Sequence, residues 1–191
     1  MRVGLGILAL VMGLAVTGAE AAAPETKTVQ AIMDTVVDPS ADSLWEKAGT
    51  VVTAKGPKAR RPRTPEQWRG AQALALQLVE GAKLLQTRRP VGENGHWKLA
   101  DDATPGIRTA AQIDADIAGD PKRFYAAAAR LQRTAQDATD ALGRRDVDAF
   151  LDAGARIDAA CEACHAAYWY PRDPPRPLPD PAAFARTAIR P

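Results

Sequence analysis

Apolar side chains recur along most of the chain at the spacing of amphipathic helices, in four long stretches. These run over about residues 26–48, 64–89, 121–143 and 146–168. The second and third stretches each carry two apolar rows with a seven-residue step: Trp68, Ala75, Ala82 and Ala71, Leu78, Leu85, then Phe124, Leu131, Ala138 and Ala128, Ala135, Leu142. Because partner helices have to cover such a stripe, the pattern predicts an all-α fold, an antiparallel four-helix bundle.

Capping residues indicate where two of these helices begin and end. Thr64 before Pro65, and Asp120 before Pro121, each place a good N-cap residue ahead of a first-turn proline. Gly143 is expected to close the helix that begins at Pro121.

The remaining stretches carry breaks in the helical pattern. Pro39 predicts a kink or a break in the first helix. Residues 55–64 are expected to form a loop, and no run of residues alternates in the manner of a strand. Residues 91–120 are rich in glycine and proline, with a short helix expected over about residues 107–117.

The N-terminus has the pattern of a secretory signal peptide. Arg2 precedes an apolar run that is too short to span a bilayer, and Ala19-Glu20-Ala21 offers a cleavage site. The predicted division is a signal peptide over 1–21, a helical domain over 22–170 and a proline-rich tail over 171–191. Export predicts a periplasmic protein, and no later segment is apolar for long enough to make it membrane-spanning.

The charge balance narrows the choice of partner. A net charge of +2 argues against a nucleic-acid-binding protein. Residues 55–63 nevertheless carry five Lys and Arg side chains and no acid. This run is interpreted as a solvated loop, with a docking patch for an acidic partner as the alternative.

Both cysteines of the chain fall in one motif near the end of the fourth helix. Cys161-Glu162-Ala163-Cys164-His165 is C-x-x-C-H, the attachment motif of c-type haem. Two cysteines three apart on a helix can reach the two vinyl groups of one porphyrin. The following imidazole is then available as the proximal iron ligand. The sequence therefore predicts one covalent haem c, held by Cys161 and Cys164 with His165 on the iron.

Two other interpretations of the cysteine pair stay open. A thioredoxin-type dithiol would place C-x-x-C at a helix start in a βαβ context, whereas here it comes near a helix end. A zinc site would need further ligands, and His96 is the only other histidine.

The run C-E-A-C-H-A-A-Y, near the C-terminal end of a four-helix chain, resembles the cytochrome c prime family, including its Met-ligated low-spin relatives. The resemblance covers about residues 26–170 and includes an aromatic residue three positions after the histidine, Tyr168 here. It implies a bundle with haem near the end of its last helix, and it allows a homodimer. Trp169 departs from the family, which often has Arg or Lys at that position.

The resemblance also implies that the first helix supplies the residue facing the other side of the iron. Met33 lies on that helix and is the only methionine after the signal peptide, which makes it the candidate sixth ligand. Core filling is the alternative for Met33. His96 could also ligate, but it is expected to be a surface loop residue. Tyr168 is expected to lie beside the haem.

These features favour an electron carrier that serves a redox partner protein. The sequence shows no distal acid/base pair, so an enzyme is not expected. If Met33 is only packing, the same fold implies a five-coordinate haem that binds nitric oxide or carbon monoxide. A third interpretation is a subunit docked on a membrane oxidoreductase through residues 55–63 and the proline-rich tail.

Overall fold

The computed structural model describes residues 28–92 and 104–170, and these are mostly helical. Helix α1 covers residues 29–45 as an α-helical segment Val29–Ile32, a π-helical turn Met33–Val37 and an α-helical segment Asp38–Trp45. The elements that follow are β1 Gly49–Thr53, β2 Gly56–Arg60, α2 Pro65–Leu84, α3 Ala110–Gly119, α4 Pro121–Gly143 and α5 Val147–Tyr168. The predicted signal peptide, the proline-rich tail and His96 lie outside the described residues.

The predicted N-caps are confirmed. Thr64 accepts a hydrogen bond from the Gln67 amide, and the Gln67 side chain accepts one from the Thr64 amide, each at 3.3 Å. Asp120 accepts from the Arg123 amide at 3.1 Å. Each bond satisfies an amide that has no partner within its own helix, so α2 and α4 begin where the sequence predicts.

The end of α4 differs from the prediction. Gly143 is still helical, and the left-handed residue is Arg145, with φ of 59°. The Asp146 amide donates to the Ala141 carbonyl at 2.9 Å, and the Arg145 amide donates to the Leu142 carbonyl at 3.0 Å. This pair of bonds is a Schellman motif, which stops α4 and lets Asp146 cap α5 directly.

The predicted apolar rows lie in the core. α2 packs against α4, α4 against α5, and α1 against α2. Trp68 is half-buried, and the other members of the rows are buried: Ala71, Ala75, Leu78, Ala82, Leu85, Phe124, Ala128, Leu131, Ala135, Ala138 and Leu142.

Pro39 does not break α1, because a π-helical turn precedes it. Within an α-helix, Pro39 could not donate to the Thr35 carbonyl and its ring would clash with that group. The Asp38 amide instead donates to the Met33 carbonyl, five residues back. The wider turn carries the helix past Pro39, so the predicted kink is a π turn.

The prediction that residues 55–64 form a loop, with no strand nearby, is wrong for Gly49–Arg60. β1 and β2 pair in an antiparallel hairpin with Thr53 opposite Gly56. Gly56 adopts φ of 104°, which glycine reaches without steric cost. Thr50 to Thr53 are all β-branched, which suits a strand.

Within the described ranges, no helix is both long enough and apolar enough to cross a membrane.

Candidate functional site

The last two turns of α5 bring together the three residues of the C-x-x-C-H motif. Cys161, Cys164 and His165 are each half-buried, and both thiols are free rather than joined in a disulfide. Cys161 and His165 are four residues apart and therefore share one face of the helix.

These side chains line one groove between α5, α1 and α4. α1 contributes Met33, Val37 and Asp38, and Leu85 follows the end of α2. The rest of the lining is from α4 and α5: Phe124, Ala127, Ala128, Leu131, Ala160, Cys161, Cys164 and His165. The structure thus brings Met33 to the motif across more than a hundred residues of sequence.

The π turn of α1 begins at the residue that joins the groove. Met33 is the first residue of the turn, and Val37 and Asp38 come at its end. A wider turn changes which residues of α1 face α5, and π turns inside α-helices are frequent at functional sites. The site and the local irregularity of α1 therefore coincide at Met33.

The His165 ring is enclosed by two aromatic side chains. Its centroid lies 5.1 Å from that of Trp169 and 6.1 Å from that of Tyr170, both edge-on. The amides of Trp169 and Tyr170 donate to the His165 carbonyl at 2.7 and 2.9 Å. Burial lowers the pKa of His165, against the opposing effect of the Asp38 carboxylate. Burial therefore favours the neutral imidazole, the form that binds metals.

Burial raises the pKa of both thiols, whereas a reactive dithiol needs a lowered pKa. It raises the pKa of Cys161 to about 12 and that of Cys164 to about 11, with the neighbouring Cys164 adding to the effect on Cys161. Reactive Cys-x-x-Cys pairs have lowered pKa values that expose a thiolate. The thiols of this chain stay protonated at neutral pH.

Asp38 is a groove residue that the sequence did not single out. It lies at the exposed rim, where partial desolvation raises its pKa and the proximity of His165 lowers it. No motif contains Asp38, and only the groove that α1 and α5 both line brings it near the imidazole.

Tyr168 supports a wall of the groove rather than lining it. Its ring packs edge-on against Phe124, with centroids 5.4 Å apart, and the Arg123 guanidinium lies 6.0 Å from its centroid. Tyr168 is buried, and its hydroxyl has no hydrogen-bond partner within the described part of the chain. Tyr168 therefore fixes the position of Phe124.

The ligating side chains and the apolar lining of the groove fit a haem, whereas its present volume is too small for one. Two free thiols, an imidazole and a thioether face a lining that is apolar apart from Asp38 and His165. The cavity volume is about 20 Å³, room for little more than one water molecule. The helices that line the groove have to separate to admit a porphyrin. In the described ranges, no three His, Cys, Asp or Glu side chains are grouped to hold a metal ion directly.

Comparison of the chain with family models, with curated proteins and with solved structures gave no match.

Proposed function

We propose that the protein is a periplasmic, mono-haem c-type cytochrome that carries one electron at a time. The observation that carries the proposal is the shared groove: Cys161, Cys164, His165 and Met33 all line it. The thiols and imidazole would hold the group from α5, and the thioether would approach it from α1.

Each of these side chains has one task in the proposal. Cys161 and Cys164 would hold the haem through thioether links, and His165 would bind its iron through a ring nitrogen. Met33 would be the second protein ligand of the iron, and a thioether ligand favours a high potential and electron transfer. When bound, haem supplies a one-electron couple between ferric and ferrous iron.

The surroundings of the motif support a fixed, water-poor site. The amides of Trp169 and Tyr170 bond to the His165 carbonyl and secure the backbone that carries the imidazole. Apolar side chains such as Val37, Leu85 and Leu131 line the groove and make it unfavourable for water. Solvent exclusion and a secured ligand are the means by which a protein sets a haem potential.

The finer architecture proposed is an antiparallel four-helix bundle of α1, α2, α4 and α5. Only three residues separate α4 from α5, and these two helices pack on one another, as in a helical hairpin. Contacts of α2 with both α1 and α4 extend this packing to four helices.

A redox titration tests the function, and carbon monoxide tests the ligand. The account predicts a reversible one-electron couple and a reduced absorption spectrum that carbon monoxide does not change. Met33→Ala should then become sensitive to carbon monoxide, whereas Val37→Ala, a neighbour in the same groove, should remain insensitive.

Two results would count against the proposal. A chain without a reversible couple is not an electron carrier. A wild-type protein that binds carbon monoxide as readily as Met33→Ala has an open iron, which assigns the protein to gas binding and leaves Met33 as a packing residue.

A further inference from the structure

The β1–β2 hairpin has two chemically different faces, which its register defines. Opposed residues share a face of the ribbon. Thr50 pairs with Ala59 and Val52 with Pro57, which gives one uncharged, largely apolar face. The other face pairs Val51 with Lys58 and Gly49 with Arg60, and it is basic.

Both faces are open to solvent. Every residue from Thr50 to Arg60 is exposed except Gly56, which is half-buried, and 83% of Val52 is exposed. Trp45, at the end of α1 beside the hairpin, is 40% exposed, and its carbonyl accepts a hydrogen bond from Arg60 at 3.3 Å. Within the described part of the chain, no element covers the apolar face. A two-stranded hairpin is only marginally stable in water, so a surface that covers this face would stabilise it.

The charge around the hairpin has one sign. Residues 47–65 carry six Lys and Arg side chains and no Asp or Glu. The salt bridges described for residues 28–92 and 104–170 use none of these six cations. An anionic surface that also accepts apolar side chains would complement the hairpin.

The small size of the apolar face favours a lipid surface over a protein partner. Five residues along two strands span roughly 17 Å by 10 Å, or about 170 Å². A stable protein interface takes about 800 Å² from each partner. A bilayer surface needs no such area, because an apolar face with flanking cations and an aromatic side chain is enough for interfacial binding.

We propose that the hairpin binds the surface of an anionic phospholipid membrane, with Val52 and Pro57 in the interface. The cations start on the opposite face, and their long side chains reach around the edge of the two-stranded ribbon to the phosphates. Trp45 lies beside this surface. Met33 lies twelve residues earlier on α1, roughly 18 Å along the helix axis. The groove therefore stays accessible when the hairpin is bound, and the inference does not depend on haem.

Sedimentation with vesicles tests the proposal on the purified exported protein. The protein should bind vesicles of phosphatidylglycerol and phosphatidylethanolamine, should not bind pure phosphatidylcholine, and should lose affinity as salt rises. Lys58→Gln with Arg60→Gln should weaken binding roughly 25-fold, about fivefold for each cation. Val52→Thr, which keeps a β-branched side chain in the strand, should weaken it several-fold.

Matched variants on the helices control for general charge and hydrophobicity. Arg130→Gln with Arg133→Gln removes two exposed cations of α4, and Leu76→Gln removes an exposed apolar side chain of α2. Both variants should bind as the wild type does.

Three results would overturn the proposal. The first is no binding to anionic vesicles at low salt. The second is equal weakening by the hairpin and helix variants, which would show unspecific attraction. The third is retention on immobilised polyglutamate without vesicle binding, which would make the partner an acidic protein.

Discussion

Replacing Gly81 by alanine tests the contact between α2 and the π turn of α1, the turn that begins at Met33. Gly81 is buried in α2, where α1 crosses it. A Cβ atom at Gly81 would lie 2.9 Å from Val37 Cγ2 and 3.0 Å from Val36 Cγ1, against 3.4–4 Å for an ordinary contact. Both valines are stiff at χ1 in a helix, so α1 itself must shift.

Gly70 is a matched control in the same helix. It is exposed, and a Cβ atom there would meet nothing within 4 Å. Gly70→Ala should stabilise the protein by about 1 kcal/mol, because alanine favours the helix over glycine. Gly81→Ala should gain the same helix stabilisation, but overpacking against the two valines should destabilise the fold by roughly 1–3 kcal/mol. The difference between the two variants isolates that cost.

Thermal and urea unfolding, followed by far-ultraviolet circular dichroism, measures the difference. Gly81→Ala should be less stable than Gly70→Ala by roughly 1–3 kcal/mol, with a Tm lower by several degrees. If Gly81→Ala is as stable as Gly70→Ala, α1 does not pack on α2 at this point. The position of Met33 in the groove would then lose its support.

Three further substitutions probe the fold around the site. Thr64→Ala removes the capping box of α2 and should cost about 1 kcal/mol in urea unfolding, whereas Thr64→Ser should change little. Phe124→Ala removes a buried wall of the groove and the packing partner of Tyr168, and should cost about 3–5 kcal/mol by the same assay. The hydrogen bond from Arg88 lowers the pKa of Asp114 in the folded state. The ion pair therefore stabilises the folded protein fully above the ordinary pKa of 3.8, and this stabilisation is lost as the pH falls through the folded-state pKa. Asp114→Asn should be less stable than the wild type at pH 7 by at most about 1 kcal/mol, because the ion pair is exposed. This difference in stability should disappear in acid, where the Asp114 carboxylate is protonated. A stability difference that does not depend on pH would refute the assignment to the carboxylate.

The sequence predicted the features that short-range chemistry controls. The starts of α2 and α4 follow from Thr64 and Asp120, because a cap acts within three residues. The core rows of α2 and α4 follow from a seven-residue step. The C-x-x-C-H motif is likewise local, since one helix carries all of its members.

Other features depend on contacts that no local pattern contains. The hairpin was missed because both of its faces are exposed, so burial imposes no alternation on its residues. Gly143 suggested the stop of α4, but Arg145 takes the left-handed conformation two residues later. Asp38 and Leu85 join the groove only through packing between helices.

The mass of the exported protein, measured after denaturation, tests the central claim most directly. The protein should be produced in a host that matures c-type cytochromes, and it should be heavier than the processed chain by one haem. Replacing both Cys161 and Cys164 by alanine should abolish the increase. A wild-type chain that carries no added mass, with its cysteines as free thiols or a disulfide, would contradict the account.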